Sequence, residues 1–553
     1  MGKLLRVIKN FSGGLSEIAN DNMRDNQLVE ARNTVPGENA GLARCKGTNI
    51  ALPQVAAGKI IRRIIDFSRY IDNVATDMVL AFVDSNTTGK EEMYEYLAST
   101  GEWTKVANSD GSYGFLPVKS WFIHGSNLYW LDGTAIKVFN GTNISDAALS
   151  PSGSSATDNE TKAWNKIKTA SCVIQRGQRW FYGVGRNELI FSAIGDPLSV
   201  NTTNIINVNS KDNDIITALY TLDNNLLIFK KRSVWVLTGW DFANTGSGES
   251  VELSRLTVTS GTEFPETIAT VENAVIYLGM NGVYRLRVLF YTSKIASENI
   301  SNTKISKRIF KDGQLQDARA AVWNNIYYLS LDYTDEDGQI QNKEYRYYVS
   351  EKSFWGEFTQ YISCYAPALE GKNRLGIGTK NGYILYYDDE SNHYIDTVTG
   401  GYANIPILIK TKGFDVVGNV FQDSKVKKLF ISCKQYEKES TDLLIQIKAD
   451  YADGAFSSKT ESIEKTIGEA LNSTGVSFDE SLVWAEGSWM EERWGWSDTV
   501  SKQLPVGRKT KHLQFILKSE AAQPLIIYAL GMLYKVKKVK GTSEGVKVVE
   551  IND

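Results

Sequence analysis

The hydrophobic positions of this chain come in short runs. Asn127-Leu-Tyr-Trp-Leu131, Leu226-Leu-Ile-Phe229, Ser233-Val-Trp-Val-Leu237, Val275-Ile-Tyr-Leu278, Ile326-Tyr-Tyr-Leu329 and Gly382-Tyr-Ile-Leu-Tyr-Tyr387 are rich in β-branched or aromatic residues. Each is bounded by Asn, Asp, Gly or Ser, the punctuation of strands and turns. Long runs with apolar residues at helical spacing are nearly absent. Strands are therefore expected throughout, with short helices only over residues 26–32 and 462–471.

One local pattern recurs: a strand, a turn with Asn-Gly or Asp-Gly, then a strand carrying an aromatic. It occupies 128–139 around Asp132-Gly133, 275–286 around Asn281-Gly282, and 375–386 around Asn381-Gly382. Asn-Gly and Asp-Gly favour the positive φ angles of tight hairpin turns, so each copy reads as a hairpin with apolar alternation. Repeated four-stranded units of roughly 40–50 residues mark a β-propeller. Between Gly58 and His393 there is room for about six to eight such units. A pair of β-sandwiches would show the same hairpins, and the propeller is the preferred of the two.

After about Gly400 the strands lengthen, at 405–410, 426–433, 443–451, 513–517 and 525–536. The expected fold is all-β: an N-terminal arm with first strands over 1–55, a β-propeller over 56–395, a β-sandwich over 396–540 and a mobile tail over 541–553. More than one domain is also what 553 residues require, because single cores stop growing at roughly 250–300 residues.

Composition sharpens this only in places. Aromatics make up 11% of the chain and the net charge is −3, so a dedicated nucleic-acid binder with a clear basic excess is disfavoured. Charge is uneven, however. An acidic block over 471–500 precedes a basic block over 501–540. The two could pair within or between subunits, or form two solvated faces. Cys45, Cys172, Cys364 and Cys433 are too scattered for a metal or redox motif, and are expected as buried free thiols made in a reducing cytoplasm. The opening residues lack the apolar run of a signal peptide, and no stretch approaches 18 apolar residues.

Candidate chemistry is sparse. His124, His393 and His512 are far apart, and no nucleophile elbow, phosphate loop or zinc-protease motif occurs. No cofactor or metal is expected. The acidic stretches Asp388-Asp-Glu390 and Asp332–Asp337 could hold a carboxylate pair or calcium, but Asp at hairpin turns usually caps its own backbone. The unusual cluster is Trp484, Trp489, Arg493, Trp494 and Trp496, with acidic residues interleaved. Such aromatics either fill a core or anchor a partner. They are the candidate subunit interface, together with Lys535, Lys537 and Lys538.

The N-terminus carries a resemblance. Phe11-Ser-Gly-Gly-Leu15 is followed by Met23–Asn33, ending Ala31-Arg-Asn33, and then by Gly41-Leu-Ala-Arg-Cys-Lys-Gly-Thr48. Further on come Gly195-Asp-Pro197, Asp214–Ala218, Asn225–Lys230, Val234–Gly239 and Gly261-Thr262. Near the end stand Lys511–Phe515, Ile527–Gly531 and Tyr534–Lys537. In this order the segments resemble the tail hub and nozzle proteins of short-tailed phages, also called tail stabilisation or tubular B proteins. Cys45-Lys46 depart from the pattern, where proline is common.

That resemblance implies a propeller-bearing, non-enzymatic subunit of the virion tail, made in the host cytoplasm. It implies a ring, usually six-fold, below the portal and adaptor. The ring would line the DNA exit channel without sequence-specific binding, hold fibres or spikes, and take part in genome retention and ejection. The alternative is a carbohydrate-active or receptor-binding propeller of the tail.

Overall fold

A computed structural model describes residues 4–18, 22–71, 74–150, 156–209, 211–223, 225–238, 252–257, 260–289, 294–311, 314–334, 337–415, 424–434, 443–449, 462–466, 499–510, 512–520 and 525–536. The chain divides into two units. One takes Lys46–Phe354 and Thr359–Ala403, the other Met1–Cys45, Trp355–Phe358 and Asn404–Asp553.

The first unit is a seven-bladed β-propeller. Its blades are four-stranded antiparallel sheets in simple meander order. Blade one, for example, is Ile61–Ile71, Val74–Asp84, Glu91–Leu97 and Glu102–Lys105. The inner strands of blades two to seven are Ser120–His124, Cys172–Arg176, Ile216–Leu222, Ala269–Val271, Gln314–Trp323 and Cys364–Pro367. Blade seven is completed by Gly47–Leu52, which pairs antiparallel with Ile384–Asp388 from the other end of the unit. This ties the ring shut.

Neighbouring blades share apolar cores. Ile65, Phe67 and Phe82 of blade one meet Leu128, Trp130 and Phe139 of blade two. Leu227 and Phe229 of blade four meet Val275 and Tyr277 of blade five. Ile384 and Ala366 of blade seven meet Ile61 and Val79 of blade one, which completes the circle. The second strand of each blade is thus covered on both faces. Asn225–Lys230 and Ala274–Gly279 are accordingly buried almost throughout, instead of alternating as the hairpin pattern predicts.

The second unit contains two sheets. One runs Thr34–Pro36, Leu42–Arg44, Ile526–Val536, Ser424–Lys434, Thr499–Thr510, with Leu4–Ile8 also on Ile526–Val536. The other runs Gly14–Leu15, Gln27–Arg32, Ile407–Thr411, His512–Ser519, Leu444–Ala449, Ser462–Thr466. Buried Arg44 of the first sheet donates through Nη2 to Ser519 Oγ of the second at 2.7 Å. The first 45 residues are therefore woven into both sheets of this sandwich, and residues 46–55 belong to the propeller unit.

Both expected helices are corrected to strands. Residues 27–32 pair with Ile407–Thr411, and residues 462–466 with Leu444–Ala449. The true helix is Asp158–Ile167, opened by a reciprocal capping box between Thr157 and Glu160. It sets Ala163, Trp164 and Ile167 into the core between blades two and three. A shorter helix spans Ser306–Lys311.

Candidate functional site

The inner strand of each blade is an edge strand, paired on one side only. Around the propeller axis these edges enclose a well. It comprises two cavities, a larger of about 830 Å³ and a smaller of about 460 Å³, which share Arg62, Arg63, Glu266 and Arg319. The inner strands of blades one, four and six each carry a register shift at this level: Ile61/Arg63, Ile216/Ala218 and Leu315/Asp317. A bulge re-aims the side chains beside it. Here it brings Arg62, Arg63, Asp317 and Arg319 to the wall of the well.

These groups form a linked set. Arg62 grips Asp84 with two hydrogen bonds of 2.7 Å, Nε to Oδ1 and Nη2 to Oδ2. Arg63 donates to the Val118 carbonyl at 3.1 Å and pairs with Glu266. Glu266 also faces Arg319 at 3.4 Å. Arg319 in turn pairs with Asp317 and meets Asp332 at 3.4 Å. Glu266 sits on the single turn Pro265–Thr267. That turn is fixed by Tyr327 Oη donating to the Thr267 carbonyl at 2.8 Å and by Leu278 N–H donating to Thr267 Oγ1 at 3.1 Å.

The electrostatics follow from burial and partners. Burial pushes Glu266 up, but Arg63 and Arg319 outweigh it and hold the carboxyl below its ordinary range. Asp317 goes the other way, because burial prevails over Arg319. Glu91, only 6% exposed, is also raised by burial against the pull of Arg63. Arg62, Arg63, Lys90, Lys119 and Arg319 stand against Asp84, Glu91, Glu263, Glu266 and Asp317 around the larger cavity, so its lining is charge-balanced. Such a wall favours no net-charged ligand such as a phosphate chain. Lys119 has no carboxylate partner among the described residues.

The sequence-predicted sites fall elsewhere. Trp484, Trp489, Arg493, Trp494, Trp496, Lys537 and Lys538 lie outside the described residues, as do most of the acidic block and the tail. Lys535 is exposed on the last strand of the sandwich. Asp388 accepts from the Glu390 N–H at 3.0 Å and from Asn49, which is turn and strand closure. Asp332 accepts from Asn342 Nδ2 at 2.7 Å within its blade. His124 packs edge-on against Trp180, ring centres 5.1 Å apart, and His393 lies against Tyr402. Cys45, Cys172 and Cys364 are buried free thiols. Burial pushes the Cys172 and Cys364 thiols up to about 12. No cluster of three metal-ligating side chains occurs among the described residues, and no described helix is long and apolar enough to cross a membrane. The charged set at the axis was not anticipated; a local signal for it exists only in Arg62-Arg63 opening an otherwise apolar strand.

No protein-family model matches the chain. No curated protein matches it either. Among solved structures it is similar to the extracellular domain of BT4673 from B. thetaiotaomicron. One structure describes that protein as a one component system, at 9% identity and a TM-score of 0.30, covering 76% of this chain and 47% of that one. Another describes it as a hybrid two component system, at 9% identity and a TM-score of 0.27, covering 66% and 64%. This chain spans about half the length of the first and under two thirds of the second.

Proposed function

We propose that the chain is a structural subunit of the tail hub or nozzle of a short-tailed phage. In this reading several copies form a ring, six-fold by resemblance, below the portal and adaptor. The ring carries fibres or spikes, belongs to the virion tail and lets DNA pass without reading its sequence. It performs no catalysis.

The observation that carries this reading is where the resembling segments fall. Those at the N-terminus hold closure points of the two units. Leu15 is fully buried on the short strand Gly14–Leu15. Asn33 adopts a positive φ of 50° and donates through Nδ2 to the Pro406 carbonyl at 2.7 Å. Arg44 links the two sheets of the sandwich. Gly47 packs where a side chain would overlap the His393 carbonyl. Thr48 Oγ1 accepts from the Ile395 N–H at 3.1 Å. A shared set of closure residues supports a shared architecture. The interlocked pairs of Arg63, Glu266, Arg319 and Asp317 at the axis suit a scaffold.

The DNA route in this reading is the axis of the assembled ring. The bore of a single propeller is spanned by Arg63 and Glu266 and leaves no passage for a duplex. Purified virions test the proposal. The chain should be found by mass spectrometry in mature particles and located by imaging between adaptor and tail tip. Absence from the particle overturns it.

A further inference from the structure

We propose that the well at the propeller axis is a binding site for a neutral oligosaccharide. The proposal goes beyond the structural role and does not depend on it. Bulges at one level in three inner strands aim side chains into the well, a placement typical of ligand sites. Its larger cavity, of about 830 Å³, lies within the roughly 300–1,000 Å³ of small-molecule sites.

Glu91 is the second observation. Its side chain is more than nine-tenths buried, yet it lines the well. Oε2 accepts from the Val118 N–H at 3.3 Å, and no other hydrogen bond holds this carboxyl among the described residues. A carboxyl placed so has acceptor capacity left for a hydroxyl donor. The inner strands are sheet edges, and Ser120 Oγ accepts from the Val173 N–H at 3.2 Å and donates to its carbonyl at 3.3 Å, so hydroxyls line the bore between blades.

Trp121 is the third. It lies on the inner strand of blade two, is 40% exposed and lines the smaller cavity, which adjoins the larger at Arg63, Lys119 and Glu266, so an oligosaccharide would reach both. Its neighbour Phe122 points the other way, into the core between blades two and three. An exposed indole inside a polar well suits the apolar face of a sugar ring, whose hydroxyls then reach the polar wall. Charge narrows the ligand class. A phosphate or sulfate would meet Glu91, Glu266 and Asp317, and a polyamine would meet the arginines. A neutral polyol leaves every ion pair intact.

The test uses the purified full chain. Saturation-transfer NMR and calorimetry would screen neutral oligosaccharides of glucose, mannose, galactose and N-acetylglucosamine, with sialylated and sulfated counterparts alongside. A neutral saccharide should bind, and Trp121→Ala or Glu91→Gln should each weaken it about tenfold or more. Glu91→Gln keeps the shape of the side chain and an acceptor for Val118, so the proposal stays testable if Trp121→Ala fails to fold. Weakening in either variant with an unchanged melting temperature supports the site. No neutral binding up to about 10 mM, binding of charged glycans only, or binding that neither folded variant alters would overturn it. Each outcome is read on the isolated chain, whatever the virion contains.

Discussion

Arg63 and Glu266 pair across the axis of the propeller, joining the inner strand of blade one to the turn that leads into blade five. These blades are not neighbours, so the pair links opposite sides of the ring. Among the described residues, the apolar cores of the blades join adjacent sheets. A transaxial tie therefore resists a distortion that adjacent cores resist only in sum.

The tie should show as coupling. Glu266 is 38% exposed in its side chain, so solvent weakens the pair, and about 1 kcal/mol is expected between Arg63→Ala and Glu266→Ala. Urea unfolding of both single variants and the double measures it. Coupling should fall as salt rises. Strict additivity at low salt would show that the pair does not brace the ring.

Closure of the ring depends on Gly47. Its N–H donates to the Ser391 carbonyl at 2.8 Å, and an added Cβ would overlap the His393 carbonyl. Gly47→Ala should lower stability by about 2–3 kcal/mol, the scale of overpacking. Gly58→Ala is the contrast. Its φ of +71° disfavours a side chain, but nothing lies within 4 Å, so about 1 kcal/mol is expected. Thermal unfolding of the two variants should rank them in that order; the reverse rank would refute the closure argument.

Glu92 sets an acid limit. Burial would raise its carboxyl, but Lys59 at 2.8 Å, Lys105 at 3.1 Å and the Ser85 hydroxyl at 2.9 Å hold it at about 2. Its ordinary value is 4.5, so the folded state releases this proton more readily than the unfolded state. The resulting stability is complete above about pH 4.5 and is lost as pH falls towards about 2. The stability gap between the native chain and Glu92→Gln should shrink across that window. A constant gap would mean that the lysines do not act through the charge.

The capping box of the helix Asp158–Ile167 is a local test. Thr157 Oγ1 accepts from the Glu160 N–H at 3.3 Å, and the Glu160 carboxylate accepts from the Thr157 N–H at 2.8 Å. Thr157→Ala should cost about 1 kcal/mol. Calorimetry should show a melting point lower by about 2–4 °C, with Thr157→Ser close to native.

Particular elements show which parts of this fold are legible in a sequence. The hairpins around Gly133, Gly282 and Gly382 were legible because Asn-Gly and Asp-Gly steps act locally. Gln27–Arg32 was misread because Leu28 and Ala31 lie one helical turn apart and Glu, Ala and Arg favour helices. Pairing with Ile407–Thr411, far along the chain, decides it instead. The helix Asp158–Ile167 did carry a signal, Thr157-Asp-Asn-Glu160, ahead of Ala163, Trp164 and Ile167. Blade number was not legible, since the seventh blade borrows Gly47–Leu52 from the other end of the propeller unit. The charged well was hidden for the same reason: Arg63 and Glu266 are brought together only by closure of the ring.

The weave of the sandwich has a consequence for synthesis. Leu4–Ile8 must pair with Ile526–Val536, and Gln27–Arg32 with Ile407–Thr411. At roughly 5–20 residues per second, a ribosome needs on the order of tens of seconds to make the intervening chain. Throughout that interval Leu4–Ile8 has no strand partner, and Gln27–Arg32 has only the short strand Gly14–Leu15 beside it. Apolar Leu15, Leu28 and Ala31, buried in the finished unit, stay open to neighbouring nascent chains. The sandwich can therefore close only after the last strands emerge, which ties its assembly to the end of synthesis.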